Sequence, residues 1–390
     1  MSSNNLKISI ITVCFNSAKT IERTIRSVAA QDYPDIEYII VDGGSTDGTL
    51  DIIHQYEDRI SRFVSEPDAG IYDAMNKGIQ MATGDYITFV NSDDWYNEGA
   101  VSYVAGDIMK RGAAISCYGI NLFDKDGIME WDDTFARDIH NIRFAMCRCH
   151  NAIFAKRSVF EMYGGFDLAY KISADYDWLL RAYDNGVEIS YDNFPAVNFR
   201  LGGVSFVQET KMRKEARTIA LLALDKLKER KKVTEKEYAE IRSKIEDYYE
   251  KAKLDKIIRT VIEEELIGKN DDIKKELKKI FPEEKCSIFG CGNFGRECFR
   301  ILQQGGISVE CFWDNNPQSW GTVCSGLEVK SPGEIENTRM KIIIATELYF
   351  KDISRQLKAL GMKNDEDYIN YNDIRHKVGK RFESVIAETA

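Results

Sequence analysis

Short apolar runs alternate with amphipathic segments along roughly the first 90 residues of the chain. The apolar runs occupy residues 7–14 (KISIITVC), 37–41 (EYIIV) and 86–90 (YITFV). Segments with helical spacing of apolar positions follow the first two runs, at about 19–31 and 49–56. Continuous apolar and β-branched runs are typical of strands that are covered on both faces. Their alternation with helices predicts an α/β fold built on a parallel sheet.

The third apolar run is preceded by a helical segment and followed by two adjacent carboxylates. Ile71 and Met75 lie on the apolar face of that segment, and Gly84 ends it. The strand then leads into Asp93 and Asp94. In open α/β sheets, ligands bind beyond the carboxyl ends of strands, and paired aspartates there suit a divalent cation that bridges phosphate oxygens. A capped turn is the alternative, because Ser and Asp both begin helices well.

A glycine-rich loop, DGGSTDG at residues 42–48, begins where the second apolar run ends. Its glycines allow the backbone to approach a ligand closely, and Asp42 stands at the carboxyl end of the strand, where a nucleotide would lie. A turn made of good turn formers would also explain the glycines, but it would not explain the position of Asp42.

Composition and charge narrow the functional classes. The chain has 390 residues, of which 44% are hydrophobic and 30% charged, as in a soluble protein of two or three domains. The formal net charge of -10 argues against general nucleic-acid binding, which needs a basic surface. A small anionic ligand is still compatible with this charge when a metal ion mediates its binding.

Cysteine usage and hydropathy predict a cytoplasmic protein. Nine cysteines, an odd number without paired CxxC spacing, are typical of buried thiols in a reducing compartment. Cys147, Cys149 and His150 lack the second ligand pair that a zinc finger needs. No apolar run reaches the roughly 18 residues of a membrane span, and the N-terminus lacks the regions of a signal peptide. A lipid-linked acceptor would bring the protein to the inner face of the cell membrane.

Five motifs within about the first 205 residues resemble those of a known family. They read SIITVCFN, QDYPDIEYIIVDGGSTDGT, SEPDAGIYDAMNKGI, ATGDY and NSDD. This pattern is similar to the family 2 glycosyltransferases with the GT-A fold, especially the bacterial surface-polysaccharide members. The resemblance implies an enzyme that uses a nucleoside diphosphate sugar, with Mn²⁺ or Mg²⁺ as its cofactor.

The resemblance also implies roles for individual residues of the donor site. Asp42 would contact the base of the nucleotide, Asp93 the ribose and Asp94 the metal ion. The other implied donor-binding residues are Thr12, Val13, Cys14, Asn16, Asn76, Lys77 and Arg200. Residues 92–94 read Ser-Asp-Asp rather than Asp-x-Asp, so the division of roles stays open and both aspartates are candidate metal ligands. Many family members carry a metal-binding histidine near the position of Arg200, whereas this chain has none there.

The segment Ser173-Ala-Asp175-Tyr-Asp177 resembles the family's Glu-Asp motif, which opens a helix and supplies the catalytic base. Ala174 stands where the glutamate usually is, so the resemblance assigns the base to Asp175. An aspartate at a helix N-terminus is stabilised as an anion, which lowers its basicity unless burial or a nearby carboxylate opposes this. Asp177 is either that carboxylate or a second cap, and a plain helix cap is the alternative for Asp175 itself.

His150 and Arg200 are further candidates. His150 is either a histidine of the core or of a turn, which is the commoner case, or a polar group of the acceptor pocket. Asp177 is a second candidate residue of the acceptor pocket. Arg200 lies in a glycine-containing segment, NFRLGGVS at 198–205. We expect this segment to close over the donor and to bring the guanidinium to the diphosphate.

Residues 207–280 are long helical segments without proline, rich in Lys, Glu, Arg, Ala and Leu. The part from Lys211 to Lys232 is basic around several leucines, so one interpretation places it on an anionic membrane surface. The alternative is a solvated helix that packs on its neighbours. The long helices also offer a surface for a homodimer.

A second α/β pattern begins at about residue 283. A strand at 286–289 is followed at once by Gly290-Cys-Gly292-Asn-Phe-Gly295, a helix, a strand at 309–313 and Asp314. This order is the dinucleotide-binding signature in its expected context, and it predicts a smaller Rossmann-like domain with a second nucleotide site. A structural module whose glycines serve only packing is the alternative.

These patterns predict four segments: a GT-A domain at 1–206, a helical linker at 207–282, a Rossmann-like domain at 283–378 and a tail at 379–390. The expected activity is inverting transfer of a sugar, with UDP as the expected nucleotide. The expected acceptor is a hydroxyl of a saccharide or of a lipid-linked molecule in surface polysaccharide synthesis. The alternative is an NAD-dependent oxidoreductase that acts through the glycines at 290–295.

Overall fold

Two compact units make up the chain in the computed structural model, Met1–Tyr249 and Glu250–Ala390. The structure describes residues 6–123, 128–129, 139–200, 203, 208–337, 340–346 and 349–387. Each unit combines helices with a sheet, which confirms the predicted α/β class.

Strands and helices alternate through most of the chain. The strands of the first unit are β1 (Ile8–Cys14), β2 (Ile36–Asp42), β3 (Arg62–Ser65), β4 (Tyr86–Phe89), β5 (Trp95–Tyr96), β6 (Ile115–Phe123), β7 (Ile128–Met129), β8 (Ile153–Lys156) and β9 (Ile189–Arg200). Its helices are α1 (Ile21–Ala29), α2 (Thr49–His54), α3 (Ile71–Met81), α4 (Ala100–Arg111), α5 (Arg157–Tyr163), α6 (Ala174–Asp184) and α7 (Glu209–Glu229). Helix α8 (Glu235–Glu263) contains the boundary between the two units.

The sheet of the first unit has the strand order β3-β2-β1-β4-β8-β6-β9-β5, and β7 pairs with β6. Neighbouring strands from β3 to β4 are parallel, as their alternation with helices predicts. Strand β8 pairs antiparallel with β4, so the sheet as a whole is mixed. Every residue of β1 and of β4 is buried. Because β1, β2 and β4 are parallel neighbours, the residues that follow them meet at one edge of the sheet.

Strand β9 brings a distant segment of the chain to this edge. It pairs in parallel with β6, and near its end Asn198 pairs with Trp95 of β5. Trp95 directly follows Asp94 in the sequence. The end of β9, including Arg200, therefore lies beside the two adjacent aspartates.

Helix α7 packs into the first unit. Ala216, Ile219 and Leu224 are buried in the same apolar cluster as residues of α6. The first unit therefore extends to Tyr249, beyond residue 206, where the sequence pattern places the domain boundary. The burial of these side chains favours the packed helix over the membrane-surface helix. Among the described residues, no helix is both long and apolar enough to cross a membrane.

The second unit has the strand order β12-β13-β11-β10-β14-β15. These strands are β10 (Lys285–Phe289), β11 (Ser308–Trp313), β12 (Val323–Cys324), β13 (Leu327–Lys330), β14 (Lys341–Ile344) and β15 (Tyr368–Asn370). The helices of this unit are α9 (Asp271–Ile280), α10 (Asn293–Gln304), α11 (Phe350–Ala359) and α12 (Tyr371–Ala387). Only the β12–β13 pair is antiparallel among the described pairings of this sheet. The strands predicted at 286–289 and 309–313 are confirmed.

Candidate functional site

Asp42 organises the loop that follows β2. Its carboxylate accepts hydrogen bonds from the backbone N–H groups of Gly44 (3.0 Å) and Ser45 (2.9 Å), and from the hydroxyl groups of Ser65 (2.7 Å) and Ser45. Burial raises the pKa of this carboxyl, but the hydrogen bonds outweigh it and leave the pKa below its usual value. Asp42 is fully buried, so its first role is to fix the loop as an anion. Its contact with a base stays a prediction.

Three of the predicted donor residues on β1 are buried in the sheet. The hydroxyl group of Thr12 lies 3.1 Å from that of Tyr38, and Val13 belongs to the apolar core. The thiol of Cys14 donates to Asp42 over 3.5 Å, and burial raises the pKa of this thiol far above its usual value. These side chains support the strand, so a ligand at this point would meet the backbone that follows it.

The residues directly after β1 are exposed. The side chain of Phe15 is 62% exposed, and Gly43 lies close enough that a Cβ there would contact the Phe15 ring. The side-chain oxygen of Asn16 accepts from the backbone N–H of Thr46 over 3.0 Å. Phe15 belongs to the SIITVCFN motif, but the sequence analysis assigned it no role. A large aromatic residue directly after a strand could have marked it as a candidate for ligand binding.

The structure gives Asn76 and Lys77 internal partners. The side-chain amide of Asn76 bonds to both the carbonyl (2.9 Å) and the N–H (2.8 Å) of Phe166. The ammonium group of Lys77 lies 2.9 Å from Glu66 and donates to the carbonyl of Pro67 over 3.0 Å. Both residues hold neighbouring segments in place, and their roles in donor binding stay predictions.

Asp94 is buried behind the strand end, with both oxygens engaged. One oxygen accepts from the backbone N–H of Arg200 over 2.7 Å, and the other accepts from the side-chain amide of Asn151. Burial, followed by the adjacent charge of Asp93, raises the pKa of Asp94 well above its usual value. In this arrangement Asp94 ties β9 to the strand end.

Asp93 faces a cleft of about 290 Å³. The residues that line this cleft are Lys19, Thr20, Arg23, Asp93, Trp95, Phe123 and Arg200. The guanidinium of Arg23 lies 3.1 Å from the centre of the Trp95 ring. Burial raises the pKa of Asp93, although Arg200 and His150 oppose this. Three cationic side chains and one carboxylate therefore surround a space that suits a strongly anionic group.

Asp175 lies in the first turn of α6 and is held by two side chains from other parts of the first unit. Its carboxylate lies 3.3 Å from Nδ1 of His150 and accepts from the hydroxyl group of Tyr72 over 2.9 Å. The side-chain nitrogen of Asn91 lies 3.1 Å from Nε2 of His150. One ring nitrogen of His150, Nε2, thus faces Asn91, and the other, Nδ1, faces Asp175. The structure thus brings together the predicted base and the predicted histidine.

Asp177 has a different partner. Its carboxylate accepts from Nε of Arg181 over 2.8 Å, and the same guanidinium donates to the carbonyl of Gly165 over 2.7 Å. The side chain that accompanies Asp175 is therefore His150 and not Asp177. The predicted role of Asp177 in the acceptor pocket stays untested.

Residues 9–161 match the family model described as Glycosyl transferase family 2, and residues 282–367 match C2185-like, N-terminal. A PGL/p-HBAD biosynthesis glycosyltransferase of Mycobacterium tuberculosis is 33% identical over 181 residues, which are 45% of this chain and 70% of that protein. The chain belongs to glycosyltransferase family 2. The putative teichuronic acid biosynthesis glycosyltransferase TuaG of Bacillus subtilis is 39% identical over 123 residues, which cover 31% of this chain and 49% of TuaG.

A structural likeness supports the same fold for this family 2 enzyme. The crystal structure of S. aureus TarS 1-349 in complex with UDP-GlcNAc has a TM-score of 0.50 and 19% identity, and the match covers 62% of this chain and 71% of that one. The predictions of a GT-A fold and of a nucleotide-sugar glycosyltransferase are confirmed. None of these likenesses supports the alternative of an oxidoreductase.

The site of this glycosyltransferase contains residues that the sequence reasoning missed. Tyr72 contacts Asp175, Asn151 contacts Asp94, and Asn91 contacts His150. A single 3₁₀ turn, His150–Ala152, connects the two sites, because its first residue contacts Asp175 and its second contacts Asp94. Asn91 begins the NSDD motif, and this was a usable signal. The spacing of Tyr72 is that of an apolar position of α3, so nothing in the sequence indicated that its hydroxyl group would contact Asp175.

In the second unit, the glycine-rich loop after β10 is closed by its own contacts. Gly290 has a φ of 106°, and a Cβ on Gly295 would collide with the carbonyl oxygen of Gly290. Asp314 accepts hydrogen bonds from the N–H (3.0 Å) and the thiol (3.1 Å) of Cys291. A Cβ on Gly292 would meet only open space. Packing therefore explains two of the three predicted glycines, and Asp314 fastens the loop.

Metal-binding side chains do not cluster in the described parts of either unit. Among those residues, no group of three or more His, Cys, Asp and Glu side chains converges in a way that would hold an ion. Any metal ion at Asp93 and Asp94 would therefore depend on one or two carboxylates, completed by ligands from the substrate and water.

Proposed function

We propose that this protein is an inverting glycosyltransferase that acts on a nucleoside diphosphate sugar and on a hydroxyl group of a saccharide or lipid-linked acceptor. The observation that carries the proposal is the contact of Asp175 with His150 and Tyr72, beside the turn that also contacts Asp94. These contacts support the proposal, because a carboxylate with fixed partners lies close to the segment where we propose that the leaving group binds. The family resemblance makes UDP the first nucleotide to test, and the likeness to TuaG supports surface polysaccharide synthesis.

The nucleotide would bind at the edge formed by the ends of β1 and β2. The exposed ring of Phe15 offers a flat apolar surface on which a base can stack. The loop after β2 is held rigid by Asp42, so its backbone can meet a ligand without reorganising. In this proposal Asp42 acts on the base through the loop.

A divalent metal ion fits the carboxylates of Asp93 and Asp94. Mg²⁺ commonly uses one or two protein carboxylates together with phosphate oxygens and water, which agrees with this donor set. Asp93 is the first candidate ligand because its side chain lines the cleft, while Asp94 would have to exchange a bond to Arg200 or Asn151. When bound, the ion would neutralise charge on the diphosphate. Arg200 and Arg23 supply further positive charge at the same cleft.

Asp175 would take the proton from the acceptor. His150 does not suit this role, because its Nε2 is occupied by Asn91 and its Nδ1 faces Asp175. As the acceptor oxygen forms a bond to the anomeric carbon, the bond from that carbon to the diphosphate breaks, and the diphosphate keeps the electron pair. The proton of the acceptor hydroxyl passes to Asp175. A single displacement of this kind inverts the anomeric centre.

The experiment is to incubate the protein with Mn²⁺ and a panel of nucleotide sugars, with and without saccharide acceptors, and to measure nucleoside diphosphate release. We expect release from one UDP-sugar that is stimulated by an acceptor, and a product of inverted configuration by NMR. A product of retained configuration would contradict the role of Asp175.

The second unit would serve as a Rossmann-like structural module. Its strands β13-β11-β10-β14-β15 follow the 3-2-1-4-5 order of the doubly wound dinucleotide-binding fold. The second nucleotide site is disfavoured, because Asp314, which would bind a ribose, already bonds to Cys291 and to the N–H of Asn316 over 2.9 Å. Calorimetry with NAD, where we expect no heat of binding, tests this proposal.

A further inference from the structure

Three consecutive backbone N–H groups converge on one carboxylate in front of α6. The N–H groups of Lys171 (3.1 Å), Ile172 (2.8 Å) and Ser173 (3.1 Å) donate to the side chain of Glu215, which belongs to α7. Backbone N–H groups that point to one place form a concave anion site, and bonds to an ionised acceptor are stronger than neutral ones. The carboxylate of Glu215 therefore fixes the path of the chain at 171–173.

Two further contacts hold the same turn. The hydroxyl group of Ser173 donates to the carbonyl of Met212 on α7 over 3.2 Å. The hydroxyl group of Tyr72, on α3, lies 2.6 Å from the carbonyl of Ile172 and 2.9 Å from the carboxylate of Asp175. Because Asp175 is the second residue of α6, the position of the turn sets the position of Asp175.

Helix α7 is a firm support for this contact. Ala216, directly after Glu215, is buried together with Ile219 and Leu224 in the core of the first unit. A side chain anchored on a packed helix has little freedom to follow a moving turn. Glu215 thus connects the start of α6 to a helix that is packed in the core.

We propose that Glu215 is a positioning residue for Asp175, and that α7 belongs to the catalytic machinery of this enzyme. The proposal rests on the proposed function, in which Asp175 is the base. Glu215 lies outside residues 9–161, the part that matches the family model, and outside the domain that the sequence pattern predicts. A displacement of about 1 Å at a reacting group can cost roughly 10²-fold in rate, so the contact bears directly on turnover.

The test compares Glu215→Gln with a matched control, Glu246→Gln. Glu246 accepts from Nε of Arg217, also on α7, over 2.7 Å, so its substitution removes a charged contact of the same helix without touching the turn. We expect kcat to fall about 10-fold or more for Glu215→Gln, with an unchanged Kd for UDP by calorimetry and a melting temperature near that of the control. Wild-type kcat in folded Glu215→Gln overturns the proposal.

A second comparison separates positioning from a general loss of structure. Glu215 acts through Asp175, so adding Glu215→Gln to Asp175→Asn should lower the residual kcat by less than about 2-fold, because residues that act as a unit are non-additive. An equal loss in both backgrounds overturns the proposal, since it would mean a structural effect that is independent of the base. Wild-type activity of Asp175→Asn would instead contradict the proposed function itself.

A third variant covers the case in which Glu215→Gln does not fold. Glu215→Asp keeps the charge but shortens the side chain by one methylene, so it reaches the three N–H groups less well. We expect kcat to fall below that of the wild type, again with unchanged Kd for UDP. Wild-type kcat for the folded aspartate variant overturns the proposal.

Discussion

Asp93 and Asp94 are adjacent in sequence, but their oxygens have different uses. Asp94 accepts from Arg200 and Asn151 inside the protein, whereas Asp93 lines the cationic cleft. The family resemblance assigns the metal ion first to Asp94, and the observed contacts favour Asp93. The two assignments differ in a measurable way because, among the residues that the structure describes, only Asp94 has hydrogen bonds to both of its carboxylate oxygens.

We expect Asp93→Asn to raise the Mn²⁺ concentration needed for half-maximal turnover by about 10-fold or more, as loss of a metal contact does. Asp94→Asn should instead lower the free energy of unfolding by about 1–3 kcal/mol, since its amide nitrogen would face a hydrogen-bond donor and leave it unsatisfied. Metal titration and urea denaturation of both variants measure the two effects. The reverse pattern would return the metal ion to Asp94.

Asp175 and Asp177 lie on the same helix, but their partners differ. We expect Asp175→Asn to leave the Kd for UDP nearly intact and to lower kcat by roughly 10²-fold or more, the usual scale for a positioned base. Asp177→Asn should cost less, because it loosens Arg181 and not the contact with His150. Calorimetry beside steady-state kinetics tests both. An inactive Asp177→Asn with an active Asp175→Asn would move the base by two residues.

At the scale of elements, a buried glutamate connects three segments of the first sheet. Glu37 of β2 accepts from the hydroxyl group of Ser9 on β1 (2.6 Å) and from the N–H of Thr83 before β4 (2.7 Å), and Lys7 lies 3.2 Å away. Burial alone would raise the pKa of Glu37, but these hydrogen bonds lower it to about 2. The charged form is therefore the one that stabilises the sheet.

This shift has a predictable pH dependence. A carboxyl with a lowered folded-state pKa contributes stability that is present above its unfolded pKa of about 4.3 and is lost as the pH falls toward 2. We expect Glu37→Gln to lower the free energy of unfolding by about 3 kcal/mol at pH 7. The difference from wild type should shrink between pH 4.5 and 2.5. Denaturation curves at several pH values measure it, and a difference that is constant with pH would contradict the assignment.

Three strands of the first sheet were predictable from the sequence, whereas the contacts of its site were only partly so. Strands β1, β2 and β4 are continuous apolar runs, so hydrophobic pattern alone indicates them. The partners of Asp175 are different, because the Tyr72 contact spans 103 positions of the chain and depends on the complete fold. The antiparallel pairing of β8 with β4 was also not indicated by any local pattern in the sequence.

At the scale of the whole molecule, the change of composition in the sequence does not coincide with the boundary between the two units. The charged helices begin near residue 207, but the first unit ends at Tyr249. The apolar positions of α7 fit a helix on a membrane, in a linker or in a core equally well, because amphipathic spacing does not identify what covers the apolar face. The structure favours a helix of the core, because Ile219 and Leu224 are buried and Glu215 contacts the turn before α6.

The extent of the first unit leads to a prediction about truncated chains. The sequence pattern predicts that a chain ending near Ser205 still binds a nucleotide. The residues that we propose to face the nucleotide all precede that point. Such a chain lacks α7, however, and the loss of α7 would expose the core around Ala216 and free the turn that Glu215 holds. A chain ending at Tyr249 keeps both.

We therefore expect the chain ending at Tyr249 to bind UDP with the affinity of the full chain and to retain its kcat within about 3-fold, since the Asp175 contacts are intact. The chain ending near Ser205 should unfold at a lower temperature, and where it stays folded it should keep UDP binding but lose turnover by about 10-fold or more, because the position of Asp175 is no longer fixed. Calorimetry, thermal melting and nucleoside diphosphate release on both chains measure this. Full turnover by the shorter chain would show that α7 is dispensable, whereas loss of UDP binding by the folded longer chain would show that the second unit contributes to the donor site.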